Sequence, residues 1–62
     1  MTYQLNFLRE DGSRACFFVT ECGNDDHAKA IARSLLRTQY AGVEIVRGED
    51  LVYQELKART LN

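Results

Sequence analysis

Apolar and polar residues alternate along much of this chain, and the alternation predicts two β-strands in its first third. In residues 3–9 (YQLNFLR) the apolar positions recur every second residue, which is typical of a half-buried strand. Residues 14–21 (RACFFVTE) are rich in Phe, Val and Thr, which favour strands. Asp11-Gly12 lies between the two runs and predicts a hairpin turn, because glycine adopts a positive φ without steric cost.

The pattern changes after Cys22 to the spacing of an amphipathic helix. Asn and Asp side chains at positions 24–26 can accept hydrogen bonds from the free N–H groups of a first helical turn, and acids suit its positive end. We expect a helix over residues 25–41, with Gly42 just beyond its end. Its apolar stripe is Ala28, Ile31, Ala32, Leu35 and Leu36.

Two more strands are predicted at residues 43–47 and 51–56, joined by a two-residue turn at Gly48-Glu49. With a right-handed crossover through the helix, the ββαββ order gives an α+β domain. We expect a four-stranded, mainly antiparallel sheet of strand order 2-1-3-4, with one helix packed on one face. Residues 1–62 would form a single small domain, with 57–62 as a frayed tail.

The registers of the two hairpins decide which side chains lie on the open face, the side of the sheet opposite the helix. A three-residue loop at residues 10–12 would place Phe17 under the helix and Phe18 on the open face. A two-residue turn at Asp11-Gly12 would instead expose Phe17. The three-residue loop gives the more apolar helix side, so we prefer it.

On that register the open face is the predicted interaction surface, because an apolar centre with a polar rim is typical of association surfaces. The predicted centre is Leu8, Phe18, Val46, Leu51 and Tyr53. The predicted rim is Gln4, Asn6, Thr20, Glu44 and Glu55. We expect a small protein–protein interaction module that forms a homodimer through this face, with a different protein as the other possible partner.

Length and composition restrict the class of protein. A chain of 62 residues with 45% hydrophobic and 27% charged residues is an ordinary, marginally stable globular domain. A net charge of −1 gives no overall field to attract nucleic acid or an anionic membrane. The chain opens without a signal-peptide pattern, and its longest apolar run is far shorter than the ~20 residues that span a bilayer. We therefore expect a cytoplasmic protein.

Candidate catalytic or metal-binding chemistry is sparse. Cys16 and Cys22 on one strand would lie roughly 20 Å apart, well beyond the ~7 Å that a disulfide allows, and His27 has no matching set of metal ligands. Asp25, Asp26 and His27 are consecutive on a helix, so their side chains fan out instead of converging. One helix on a small sheet also leaves little room for a deep pocket of ~300 Å³ or more. The sequence thus predicts no enzyme, no metal and no cofactor.

A basic stripe on the helix supports the alternative function. Lys29, Arg33 and Arg37 recur at helical spacing and could contact a nucleic-acid backbone. Glu44 and Glu55 on the predicted open face would repel phosphate. A nucleic-acid-associated accessory protein is therefore the alternative, with nucleic acid the less expected partner.

The turns and strand patterns together resemble small, uncharacterised proteobacterial proteins. The shared features are Y-x-L-x-F-L from Tyr3, Asp11-Gly12, the acidic helix start, and the hairpin from Val43 with its Gly48 and Leu51-Val52. This resemblance implies a ββαββ fold and a bacterial cytoplasmic origin. Cys22-Gly23 with the helix that follows is also similar in outline to antitoxins of the HicB type, which implies an antitoxin-like accessory role.

Overall fold

A computed structural model describes residues 1–36 and 40–56, and the four strands in it form one antiparallel sheet. The elements are β1 (Thr2–Leu8), β2 (Arg14–Glu21), α1 (Asp25–Leu35), β3 (Gly42–Arg47) and β4 (Asp50–Leu56). The strand order is β2-β1-β3-β4. The predicted α+β class, ββαββ order and strand order are therefore confirmed. The predicted frayed tail at 57–62 lies outside the described residues.

The core lies between α1 and one face of the sheet, here called the helix face. Its buried side chains come from β1, β3, the helix and Cys22. They are Tyr3, Leu5, Phe7, Cys22, Ala28, Ala32, Val43 and Ile45. The helix residues among them are alanines, and such small side chains allow a helix to approach a sheet closely. The larger Ile31, Leu35 and Leu36 are only partly buried at the edge of this cluster.

Helix α1 begins where the sequence predicts and ends earlier. The Asn24 side chain caps it by accepting a hydrogen bond from the His27 N–H at 2.8 Å. At the other end Leu36 is extended, with φ −71° and ψ 115°, so the prediction of a helix through residue 41 is wrong. Residues 37–39 lie outside the described part of the chain.

Tertiary contacts explain why the chain has left the helix by Tyr40. The Tyr40 ring packs on Phe7 with centroids 5.2 Å apart, and the Ala41 N–H donates to the Leu8 carbonyl at 2.8 Å. These contacts place Tyr40 and Ala41 against β1. Gly42 is the first residue of β3, so its predicted position as the helix C′ residue is wrong.

The first hairpin has the predicted three-residue loop. The Arg9 N–H donates to the Ser13 carbonyl at 2.8 Å, and the Gly12 N–H donates to the Arg9 carbonyl at 2.9 Å. Gly12 has φ +88°, the left-handed conformation that glycine adopts most readily. Residues 10–12 therefore form the loop.

A β-bulge directly after this loop changes the faces of β2. Leu8 pairs with Arg14 but Phe7 pairs with Cys16, which leaves Ala15 as the extra residue. Beyond the bulge every residue of β2 lies on the face opposite to the predicted one. Phe18 is paired with Leu5 and so lies on the helix face, and the prediction that Phe18 lies on the open face is wrong.

The second hairpin contains the same device. Arg47 pairs with Asp50 across the predicted Gly48-Glu49 turn. Val46 then pairs with Leu51, but Ile45 pairs with Tyr53, so Val52 is the extra residue. The shift moves Tyr53 to the helix face beside Ile45, and its predicted position on the open face is wrong for this reason.

Gly42 provides a test of strand packing. A Cβ atom at this position would lie 2.6 Å from the Glu55 carbonyl oxygen and 2.6 Å from Leu56 Cδ2. Because the first of these atoms belongs to the backbone, the clash cannot be relieved by a side-chain rotation alone. We expect Gly42→Ala to lower the free energy of unfolding by about 1–3 kcal/mol, as overpacking does.

Urea denaturation measures this effect, and Gly23→Ala is the matched control. A Cβ at Gly23 would meet no atom within 4 Å, so we expect a change below about 0.5 kcal/mol. Equal losses in the two variants would contradict the packing derived for Gly42.

Candidate interaction surface

Strand β2 lies at an edge of the sheet and exposes consecutive apolar side chains. Phe17 is 59% exposed, Phe18 45% and Val19 53%. Successive residues of a strand alternate, so Phe17 and Val19 lie on the open face while Phe18 lies on the helix face. Both phenylalanines are therefore exposed to solvent, one on each side of the sheet.

Phe18 is left uncovered because α1 is attached towards the opposite edge of the sheet. Arg33 Nε forms an ion pair with Glu55 Oε1 at 3.3 Å, and its Nη2 donates to the Tyr53 hydroxyl at 3.3 Å. Lys29 Nζ lies 5.1 Å from the centroid of the Tyr53 ring, within the range of a cation–π contact. These contacts bind the helix to β4 and leave the helix face of β2 exposed.

A second set of contacts attaches the start of α1 to the central strands. Asp25 Oδ1 accepts a hydrogen bond from the Tyr3 hydroxyl at 2.6 Å and another from Arg47 Nη1 at 2.8 Å. The pKa of Tyr3 is raised, first by its hydrogen bond to the Asp25 carboxylate and second by burial of its hydroxyl. Asp25 thereby joins α1 to both β1 and β3, and its carboxylate is occupied by these structural contacts.

An open cleft of about 470 Å³ lies beside the start of α1. The sequence predicted little room for a deep pocket of ~300 Å³ or more. This cleft has a larger volume, but it opens widely to solvent. Its lining mixes acids and bases: Met1, Asn24, Asp25, Asp26, Lys29 and Arg47. Within residues 1–36 and 40–56, no group of three or more His, Cys, Asp or Glu side chains is arranged to hold a metal ion.

The centre of the open face is polar, which reverses the prediction of an apolar centre with a polar rim. Gln4 Nε2 donates to Asn6 Oδ1 at 2.8 Å, and Asn6 Nδ2 donates to Glu44 Oε1 at 3.1 Å. Asn6 is only 2% exposed, because this row of side chains crosses the two central strands. The exposed apolar residues of this face lie instead on its two edge strands.

Three of the five predicted interface residues lie on the open face. They are Leu8, Val46 and Leu51, of which only Leu51 is well exposed, at 57%. The sequence reasoning missed three apolar side chains that the two bulges place there: Phe17, Val19 and Leu56. The rejected two-residue turn would have placed Phe17 correctly, so the alternative register was the available signal for β2.

The basic stripe of the helix is partly occupied. Lys29 is half-buried against Tyr53, and the Arg33 charge is paired with Glu55. Two of the predicted nucleic-acid contacts therefore serve the attachment of α1 to β4. Arg37, the third, lies outside the described residues.

The two cysteines are free thiols in different surroundings. Cys16 is exposed on β2, and its Sγ donates to the Tyr40 hydroxyl at 3.3 Å. Cys22 is buried in the core. His27 is exposed in the first turn of α1, and its Nδ1 accepts a hydrogen bond from the Gly23 N–H at 3.4 Å.

Comparison with known proteins adds no family to this description. No protein-family model, curated protein or solved structure matches the chain. The resemblances noted from the sequence therefore stay predictions. The helix in the described part of the chain is not long and apolar enough to cross a membrane.

The contacts between α1 and β4 predict a pH-dependent stability. Hydrogen bonding from Tyr53, and then from Arg33, lowers the pKa of Glu55 below its ordinary value of 4.5. The folded state then binds this proton more weakly than the unfolded chain does. The stabilisation is therefore present above the ordinary pKa and is lost as pH falls through the lowered one.

We expect Glu55→Gln to lower the free energy of unfolding more at pH ~7 than at pH ~3, because the parent carboxyl takes up a proton and loses its charge as pH falls through its lowered pKa. Urea denaturation at both pH values measures the difference. Glu49→Gln, in the exposed turn, is the control and is expected to behave like the parent protein. The same deficit for Glu55→Gln at both pH values would contradict the role of the charge.

Proposed function

We propose that this chain is a small protein–protein interaction module that self-associates, with the apolar side chains of β2 inside the contact. The observation that carries the proposal is the exposure of Phe17, Phe18 and Val19 on an edge strand. Burying a Phe or Val side chain is worth about 1.5–3 kcal/mol relative to leaving it exposed. A domain of this size is marginally stable alone, so association would also stabilise its fold.

The composition of β2 supports the same role. Edge strands of soluble monomers are commonly protected against pairing by lysine, proline or a covering element. Residues 15–20 (ACFFVT) carry no charge, and the chain contains no proline. The protective features that β2 has lie at its ends: Arg14 and the bulge at Ala15 at its start, and Glu21 at its end. The remainder of β2 is open to a partner.

Light scattering at high micromolar concentration tests this function. We expect the parent protein to be a dimer and Val19→Lys to be a monomer, because a buried lysine would carry an unpaired charge into the contact. Leu51→Lys is the matched control, since Leu51 is exposed on the same face to a similar extent but on β4. We expect it to keep the parent mass.

Far-UV circular dichroism confirms that each variant is folded. A parent protein that stays monomeric at this concentration would remove the proposal of self-association. A dimer that survives Val19→Lys but dissociates with Leu51→Lys would show that β2 is not inside the contact.

A further inference from the structure

We propose that two copies of this chain join edge to edge, with β2 pairing antiparallel to β2 of the second copy about a two-fold axis at Phe18. The two four-stranded sheets would thereby form one continuous sheet. This inference rests on the proposed self-association and specifies its geometry. Three features of β2 support it: the residues whose backbone N–H and C=O groups point to the free edge, the side-chain pairs that would form, and the charges at the two ends of the strand.

Every second residue of β2 directs its backbone groups away from β1, where the sheet offers them no partner. Met1 and Cys22 form a hydrogen-bonded pair of the ladder. The Cys22 N–H donates to the Met1 carbonyl at 2.9 Å, and the Met1 amino group donates to the Cys22 carbonyl at 3.0 Å. Hydrogen-bonded pairs alternate along an antiparallel ladder, so Thr20 and Phe18 also direct their backbone groups to β1. Phe17 and Val19 alternate with these residues along β2 and direct their N–H and C=O groups outward, to the free edge.

Two-fold symmetry limits which residues of the two β2 strands can lie opposite each other. A two-fold axis that extends an antiparallel sheet is perpendicular to it, so only residues of the same face can lie opposite each other across the new pair. With the axis at Phe18, the outward groups of Phe17 meet those of Val19 of the second copy, and the reverse pair forms symmetrically. Aromatic residues opposite β-branched residues are favourable cross-strand pairs. Residues 16–20, in the regular part of β2 beyond the bulge at Ala15, then pair with the same residues of the second copy.

Neighbouring registers are less favourable. An axis at Val19 would place Phe17 opposite Glu21 of the second copy, which would lay an apolar ring against a carboxylate. An axis at Phe17 would bring Ala15, the bulged residue, opposite Val19 and interrupt the ladder sooner. The axis at Phe18 avoids both problems.

The charges at the two ends of β2 are complementary to a second copy. Arg14 begins the strand and Glu21 ends it, so antiparallel pairing brings Arg14 of each copy close to Glu21 of the other. The Glu21 carboxylate already has the Met1 amino group 3.4 Å away, and an arginine would add a second cation. Strand β4 contrasts with this arrangement, because Asp50 and Glu55 would bring acids together if it paired with itself.

The position of α1 leaves room for this pairing. The perpendicular two-fold axis places both helices on the same side of the joined sheet. Each helix is attached to its own β4, which lies three strands away from the shared β2 edge. Neither helix therefore covers that edge. Phe18 of the two copies would meet in the space between the helices, where each side chain is 45% exposed in the single chain.

Cysteine cross-linking tests the register directly. In a Cys16→Ser background, which removes the exposed native thiol, Phe18→Cys would place two cysteines opposite each other at the axis. Directly opposite Cβ atoms are ~4.5–5.5 Å apart, close to the separation in a disulfide. Phe17→Cys is the matched control, because its two copies would be diagonal neighbours, ~7–8 Å apart. Mild oxidation is expected to link Phe18→Cys on the order of tenfold faster.

The outcomes separate this inference from the function on which it rests. Fast cross-linking of Phe18→Cys with slow cross-linking of Phe17→Cys supports the stated pairing. If light scattering shows dimers of both variants before oxidation, but Phe17→Cys links as fast or faster, the axis at Phe18 is wrong while self-association stands. If both variants and their Cys16→Ser parent are monomers, the proposed function itself fails.

Discussion

Two residues without a cross-strand partner, Ala15 in β2 and Val52 in β4, determine the character of both faces of this sheet. Each bulge lies shortly after a hairpin turn and shifts the remainder of its strand by one residue. Because side chains alternate with a period of two, that shift exchanges every later side chain between the faces. Tyr53 thereby reaches the helix face and contacts α1, while Phe17 moves to the open face.

The contacts of Tyr53 have a consequence at the opposite edge. Together with Glu55, it binds the basic side chains of α1 and so holds the helix towards the β4 edge of the sheet. A helix is ~10 Å across and neighbouring strands lie ~4.8 Å apart, so α1 in this position does not also cover β2, the far edge of the sheet. The polar row through Asn6 makes the middle of the open face a poor apolar contact, so exposed apolar surface is concentrated at the edges. The structure thus combines a buried core with an edge strand whose central apolar side chains are exposed.

Much of this fold could be predicted from local pattern. The bounds of β2 agree with the prediction, the other strands begin or end within one residue of it, and the cap at Asn24 lies where acids and an amide open the helix. The helix end could not be predicted, because it depends on the packing of Tyr40 on Phe7 across the fold. The faces of Phe18 and Tyr53 could not be read from the turns either, since a bulge leaves the loop length unchanged. For this reason only three of the five residues predicted at the centre of the open face lie on that face: Leu8, Val46 and Leu51.

The central claim is that the free edge of β2 is paired in solution, and amide hydrogen exchange followed by NMR tests it most directly. The Phe17 and Val19 amides point to that edge, whereas the Thr20 amide is bonded to β1. The account predicts that Phe17 and Val19 are protected from exchange at high protein concentration and lose this protection on dilution, while Thr20 stays protected at both concentrations. Rapid exchange of Phe17 and Val19 at every concentration, with Thr20 protected, would contradict it.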